Sequence, residues 1–190
     1  PVYLDLLRDS SFYQFLLQID QDLAEQAQRS GCRFCGAPLH SACYGRRPRG
    51  VPQGIDPGPG FSVCYSFCCS AEGCRRRHRA PSVRFLKRRV YLAVMVALAT
   101  AMRQGPSPRT ARELGTRFGA DRRTLCRWRR WWQSRFPRSD FWRREAAHFM
   151  PGVDETQLPR SLIAAFIAPM LIQKVLSLLK FLSPMGSVFF

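Results

Sequence analysis

Apolar and polar positions recur along most of this chain with the period of helices, and one long stretch breaks that period. From Ser11 to Gln28, the side chains of Phe12, Phe15, Leu16, Ile19 and Leu23 share a face, while Gln18, Asp20, Asp22 and Glu25 take the other side. That spacing predicts an amphipathic helix, stopped at Gly31. Between Cys32 and Cys74 no helical period survives. Residues 45–60 hold four Pro, five Gly and three Arg with almost no apolar content, and are therefore expected to be a loop. The short flanks, Leu39 to Tyr44 and Phe61 to Phe67, read as a weak hairpin.

The basic segment Arg75 to Arg89 leads into Arg89 to Met102, apolar nearly all round and expected to form a buried helix. After the loop Gln104 to Ser107 the pattern predicts two short helices, Arg109 to Phe118 and Asp121 to Phe136, and then a helix containing Trp142. The last apolar stretch, Ser161 to Leu182, is interrupted by Pro169, Gln173, Lys174 and Lys180. Those interruptions suit a buried or partner-facing helix better than a membrane span.

Charge narrows the choice of partner. The 190 residues carry 30 Lys+Arg against 13 Asp+Glu, a formal net charge of +17 that a polyanion would neutralise. A hydrophobic fraction of 46% and an aromatic fraction of 12% exclude a disordered basic tail. Most of the cations are Arg, whose planar fork matches phosphates and guanine edges, so nucleic acid is expected rather than a membrane surface. Eight cysteines without a leader-like run of basic and apolar residues at the start point to a reducing compartment rather than a disulfide framework.

Four of those cysteines have metal-ligand spacing. Cys32-Arg-Phe-Cys35-Gly is a turn in which two thiolates face one centre, and Cys69 and Cys74 supply a second pair. Cys32, Cys35, Cys69 and Cys74 are the expected ligands of a structural Zn2+, because so loop-rich a segment cannot hold itself together by burial alone. Cys68 competes with Cys69; neighbours on a strand point opposite ways, so one of the two ligates. Cys43 and Cys64 read as small buried hydrophobes, and His40 and His78 as alternative ligands. A helix precedes the first pair and Gly follows it, which argues against thioredoxin-like redox chemistry.

The segment from Ala111 to Trp128 has the pattern of a helix-turn-helix. Leu114 and Phe118 supply the inner face of a first helix, Gly115 admits close approach, Gly119 turns the chain, and Ala120, Leu125 and Trp128 return to the same core. At 100° per residue, Leu125, Trp128, Trp132 and Phe136 fall in one stripe, with Arg123, Arg127, Arg130 and Ser134 opposite. No acid lies between Arg122 and Arg138, unlike an ordinary solvated face. Asp121, Arg122, Arg123, Cys126, Arg127 and Arg130 are expected near base edges, and Arg129, Arg135 and Arg138 near phosphates. The second basic run, with Arg75, Arg76, Arg77, Lys87 and Arg88, is expected to track phosphates, so that Arg76→Ala weakens binding to all sequences alike.

The Cys32/Cys35 and Cys69/Cys74 knuckles with their trailing arginines resemble the zinc-ribbon N-terminal regions of bacterial insertion-sequence proteins. The stretch Arg122 to Trp128 is similar to their helix-turn-helix segments. The likeness covers roughly residues 30 to 136. It implies an accessory or regulatory DNA binder of a mobile element, cytoplasmic and associated with the bacterial nucleoid, with a recombinase or transposase as protein partner through the terminal apolar helices. The departure is catalytic: transposases of that type cut with a triad of acids on an RNase H-like fold. Here only Asp140, Glu145, Asp154 and Glu155 follow, in too short a tail, so no enzyme activity is expected. The alternatives are an RNA-binding module of a nucleoprotein complex and a subunit of a nuclease or recombinase assembly.

The expected fold is therefore mainly α, a helix-turn-helix domain with a small zinc-ribbon-like β insert. Its segments are an amphipathic helix at 1–30, the zinc-ribbon-like module at 31–80 with its loop at 45–60, the helix-turn-helix domain at 81–150, and an apolar helical segment at 151–190.

Overall fold

The computed structural model describes residues 6–86, 91–101, 112, 115, 116 and 118–186. About half of the described residues are helical, and the strands form two small antiparallel sheets. Two compact units divide it, one built from Pro1–Leu92 with Lys180–Phe190 and the other from Ala93–Leu179.

The first unit opens with α1, Ser10–Arg29, whose Asp9 cap accepts from the Ser11 amide. Phe12, Leu16, Asp20 and Ala24 recur every fourth residue and are all buried. Asp20 thus belongs to the inner ridge and not to the polar side, whereas Phe15 is turned outward, 49% exposed. Gly31, at φ +70°, ends the helix, and a Cβ there would stand 2.9 Å from the Gly36 carbonyl oxygen, so no other residue fits.

The expected hairpin is realised as two ladders. Strand β1, Leu39–Ser41, pairs with β4, Ser66–Cys69, in the register Leu39 opposite Cys69. Beyond it β2, Tyr44–Gly45, pairs with β3, Val63–Cys64. A third strand in the first sheet, β5, Arg77–Arg79, pairs with β4 and places Phe67 opposite His78. Part of the basic segment is therefore sheet, with Arg77 exposed, His78 buried and Arg79 half-buried in the alternation that a strand imposes.

Arg84 lies in the same run but is fully buried. Its Nε donates to Asp20 Oδ2 at 2.7 Å, Nη1 donates to the Phe61 carbonyl, and Nη2 donates to the Val63 carbonyl at 2.8 Å. Asp20 also accepts from Ser82 Oγ and the Val83 amide, each at 2.6 Å. One ion pair thus ties α1 to the end of the Pro/Gly loop and to residues 82–84, and the guanidinium is in addition flanked by the rings of Phe61, Tyr65 and Phe85.

In the second unit the apolar run forms α2 over Ala93–Leu98 only, every residue buried. Its start is later than the pattern suggests because the backbone at 91 and 92 is bridged to Arg49 and Phe85, the Leu92 amide donating to the Arg49 carbonyl at 3.0 Å. Helix α3, Arg122–Arg130, is followed by one π-helical turn, Trp131–Arg135, closed by the Phe136 amide on the Trp131 carbonyl at 2.8 Å. The wider turn brings Trp131 and Phe136, five residues apart, together at 5.4 Å between ring centroids, and so buries Trp131 as well as Trp132. A uniform period of 3.6 leaves Trp131 off the stripe.

Phe136 also packs on Trp132 and Trp142, with ring centroids at 4.8 and 5.1 Å. Trp132 Nε1 donates to the Val96 carbonyl at 3.2 Å, fastening α2 to this aromatic core. Helix α4, Asp140–Glu145, is capped by Ser139. The terminal stretch is two helices, α5 over Arg160–Ala165 and α6 over Leu171–Leu182, with Pro169 in the break between them. Among the described residues, no helix is long and apolar enough to cross a membrane.

Candidate functional site

Two knuckles in the first unit converge. The first follows α1: the Cys32 amide donates to the Ala37 carbonyl at 2.8 Å and the Gly36 amide to the Cys32 carbonyl at 2.7 Å, folding Cys32 and Cys35 into one turn. The second joins β4 to β5, with the Cys74 and Arg75 amides both on the Ala71 carbonyl at 3.0 Å. Cys32, Cys35, Cys69 and Cys74 come together so that all four sulfurs lie within 4.8 Å of one another, and the group can hold a metal ion. Sulfurs 3.7 Å apart for Cys32 and Cys74, and 3.4 Å for Cys35 and Cys69, suit the roughly 3.8 Å edge of a tetrahedron of thiolates about 2.3 Å from an ion.

Strand alternation decides between the adjacent cysteines. Cys69 points with Phe67 into the core, while Cys68 turns to the other face, its thiol on the Arg75 carbonyl at 3.5 Å. Cys43 and Cys64 are not buried hydrophobes: Cys43 lies outside any strand, exposed beside Ser41 Oγ, and Cys64, on the short strand β3, is half-buried. His40 is exposed on β1. His78 is buried with Nε2 3.2 Å from Cys32 Sγ, placed to donate to that sulfur.

The four thiols share one small space and compete for charge. Burial opposes a charge on Cys32, but hydrogen bonds from the Phe34 and Cys35 backbone and from the Cys35 and Cys74 thiols outweigh it and bring Cys32 down to about 6. Burial and the competing sulfurs push Cys69 up to about 12 and raise Cys74. One thiolate is tolerated without a cation and several are not, so an ion must displace protons from Cys69 and Cys74. Metal affinity is therefore expected to rise steeply with pH near neutrality, as chelator competition at several pH values would read, and to weaken as pH falls.

In the second unit α3 separates its two faces. Leu125, Trp128, Trp132 and Phe136 are buried to 2% exposure or less, and Phe118 and Ala120 pack with the interior. Arg122, Arg123, Cys126, Arg127, Arg129, Arg130, Arg135 and Arg138 are all exposed. Gly119, at φ +62°, turns the chain into the helix, and its amide donates to the Gly115 carbonyl at 3.0 Å. A Cβ on Gly115 would meet the Ala120 carbonyl oxygen at an ordinary 3.8 Å.

Asp121 caps α3, its Oδ1 accepting from the Thr124 amide at 2.6 Å, a bond that lowers the Asp121 carboxyl below its usual value. A depressed folded-state value means that the cap stabilises above the carboxylate range and is lost as pH falls through it. Asp121→Ala is expected to raise amide exchange at Arg122, Arg123 and Thr124 while leaving the β1–β4–β5 amides unchanged.

Of the other basic positions, Arg75, Arg76 and Arg77 are exposed beside the second knuckle, and Lys87 and Arg88 lie outside the described residues, as do most positions of the predicted first helix. The four acids serve local structure. Asp154 accepts from the Thr156 amide, Glu155 accepts from Trp142 Nε1 at 2.6 Å, Glu145 lies 3.3 Å from the His148 ring, and Asp140 lies 3.8 Å from Arg143. Sequence reasoning missed the Asp20–Arg84 pair, whose signal was the four-residue ridge through Asp20, and the π turn, which leaves no signal in a fixed period.

Comparison with known proteins finds no matching family model, no matching curated protein and no matching solved structure.

Proposed function

We propose that the protein binds duplex DNA sequence-specifically through α3, in a helix-turn-helix whose companion is a zinc-ribbon module stabilised by structural Zn2+. The observation that carries this reading is the division of α3 into a buried stripe and an exposed arginine face uninterrupted by acid from Arg122 to Arg138. Such a face fits the major groove, where Arg reads guanine O6 and N7 by two parallel hydrogen bonds. The buried role of all four tryptophans leaves the exposed chemistry to guanidiniums. Four soft sulfurs within 4.8 Å of one another favour zinc, and the ion's part is to hold the ribbon. Work as an accessory factor of a mobile element rests on the motif resemblance alone.

Selection from a random duplex pool, followed by binding of the Arg123→Ala and Arg127→Ala variants, tests the reading. Each variant is expected to lose about 1–3 kcal/mol of preference at one base pair, with little change on random duplex. Equal losses on selected and random DNA, or displacement by structured RNA more readily than by duplex, would refute it.

A further inference from the structure

The first knuckle displays an aromatic ring that neither the metal nor the core uses. Phe34 lies between two of the clustered cysteines and is 48% exposed. Its ring is attended by two guanidiniums, Arg76 with its carbon 4.2 Å from the ring centroid and Arg33 at 4.9 Å, and His78 stands 5.6 Å away on the inner side. Arg33 comes from the same turn, whereas Arg76 comes from the other knuckle, so the metal cluster assembles this group from sequence-distant parts.

The second knuckle adds a backbone observation. After Cys35 the left-handed position is filled by Gly36 at φ +75°, but after Cys74 the corresponding position is Arg75 at φ +44°, unique among the described non-glycine residues. Glycine would relieve that conformation, and the arginine stands there regardless, exposed and next to Arg76 and Arg77. Arg33 and Arg76 therefore lie over the ring, Arg75 and Arg77 are exposed on either side of Arg76 in the chain, and Glu72 is the acid in the same turn.

We propose that Phe34 and the guanidiniums around it form a site for an unpaired DNA strand, separate from the duplex-reading face of α3. A base stacks on the exposed Phe34–Arg76 platform, and Arg33, Arg75 and Arg77 take the flanking phosphates. Exposed aromatic rings interleaved with arginines bind single strands in this way because every base offers a π-face. The charge matches a polyanion, and the ring gives a reason for a base in addition to a phosphate. The two guanidiniums over the ring are donors only and offer no acceptor to a ribose 2′-hydroxyl, which favours the deoxy strand. The site stands on the first unit alone and holds whether or not α3 reads duplex DNA.

Anisotropy of a fluorescein-labelled ten-residue oligothymidylate, with the whole 190-residue chain loaded with metal, tests the proposal. Phe34→Ala is expected to weaken binding about tenfold or more, Phe34→Trp to retain it, and Phe34→Leu, which keeps apolar bulk beneath Arg76 without a π-face, to behave like the alanine variant. Metal content is measured alongside, and the leucine variant decides if the alanine variant loses its ion. The Arg123→Ala/Arg127→Ala double variant is expected to bind the oligomer as the parent does, which separates this site from α3. Binding unchanged in Phe34→Leu, weakening of duplex and single strand by the same factor, or tighter binding of the matching oligouridylate would each overturn the proposal.

Discussion

Replacing Cys69 by Ser, or stripping the ion with a strong chelator, is expected to unfold the β1–β4–β5 sheet, whereas Cys68→Ser leaves it within about 0.5 kcal/mol of the parent. The difference follows from what surrounds each thiol. The core on that side of the first unit is small, namely Ala24, Cys32, Leu39, Phe67, Cys69 and Ala80, and two of those six are themselves proposed ligands. Burial of so few aliphatic groups cannot offset the ordering of the knuckles and the long loop. A structural zinc ion contributes apparent binding free energies of about 10–16 kcal/mol in zinc-finger peptides, comparable to the whole stability of an ordinary domain. Cys68 faces outward and gives up only a contact to the Arg75 carbonyl, which a hydroxyl can also make.

The measurement is amide exchange of the sheet, read beside tryptophan emission. All four tryptophans lie between Ala93 and Leu179, so their emission reports the second unit and is expected to change less. Sheet protection that survives in Cys69→Ser would show that the cysteines are not holding a structural ion.

Arg84→Met is expected to cost about 3–5 kcal/mol, read as a lowered urea midpoint, although Arg84 sits in a run that looks like a solvated basic arm. Removing the guanidinium strands Asp20 at 1% exposure beside two buried carbonyl oxygens that lose their donors. Asp20→Asn, which leaves the arginine uncompensated, should be similarly damaging. The double variant Asp20→Leu/Arg84→Met should recover much of the loss, because well-packed apolar side chains replace a buried pair at little net cost. A loss below about 1 kcal/mol for Arg84→Met would mean that the pair is solvated in solution.

The same residue shows where one-dimensional reading stops. Local period was enough for α1, for the two-faced α3 and for the four clustered cysteines, since helix faces and Cys-x-x-Cys turns are properties of neighbours along the chain. The choice of Cys69 over Cys68 needed only strand alternation, once a strand was present. In contrast, Arg84 looks like Arg88 in a basic run, and only the distant Asp20 carboxylate, 64 positions away, draws it into the interior. The apolar run after Arg89 is shorter as a helix than its pattern, because backbone pairing with Arg49 and Phe85 claims residues 91 and 92.

Sequence by itself therefore determined the chemistry at hand: which thiols could share an ion and which helix carries arginines on one side. Tertiary structure alone decided which charged groups are hidden, where the helix widens to seat Trp131 and Phe136 together, and that Arg76 comes to rest over Phe34. The physical reason is range. A hydrophobic period is written between residues three or four apart, but the free energy of burying a charge depends on a partner that the chain supplies only after it has folded back on itself.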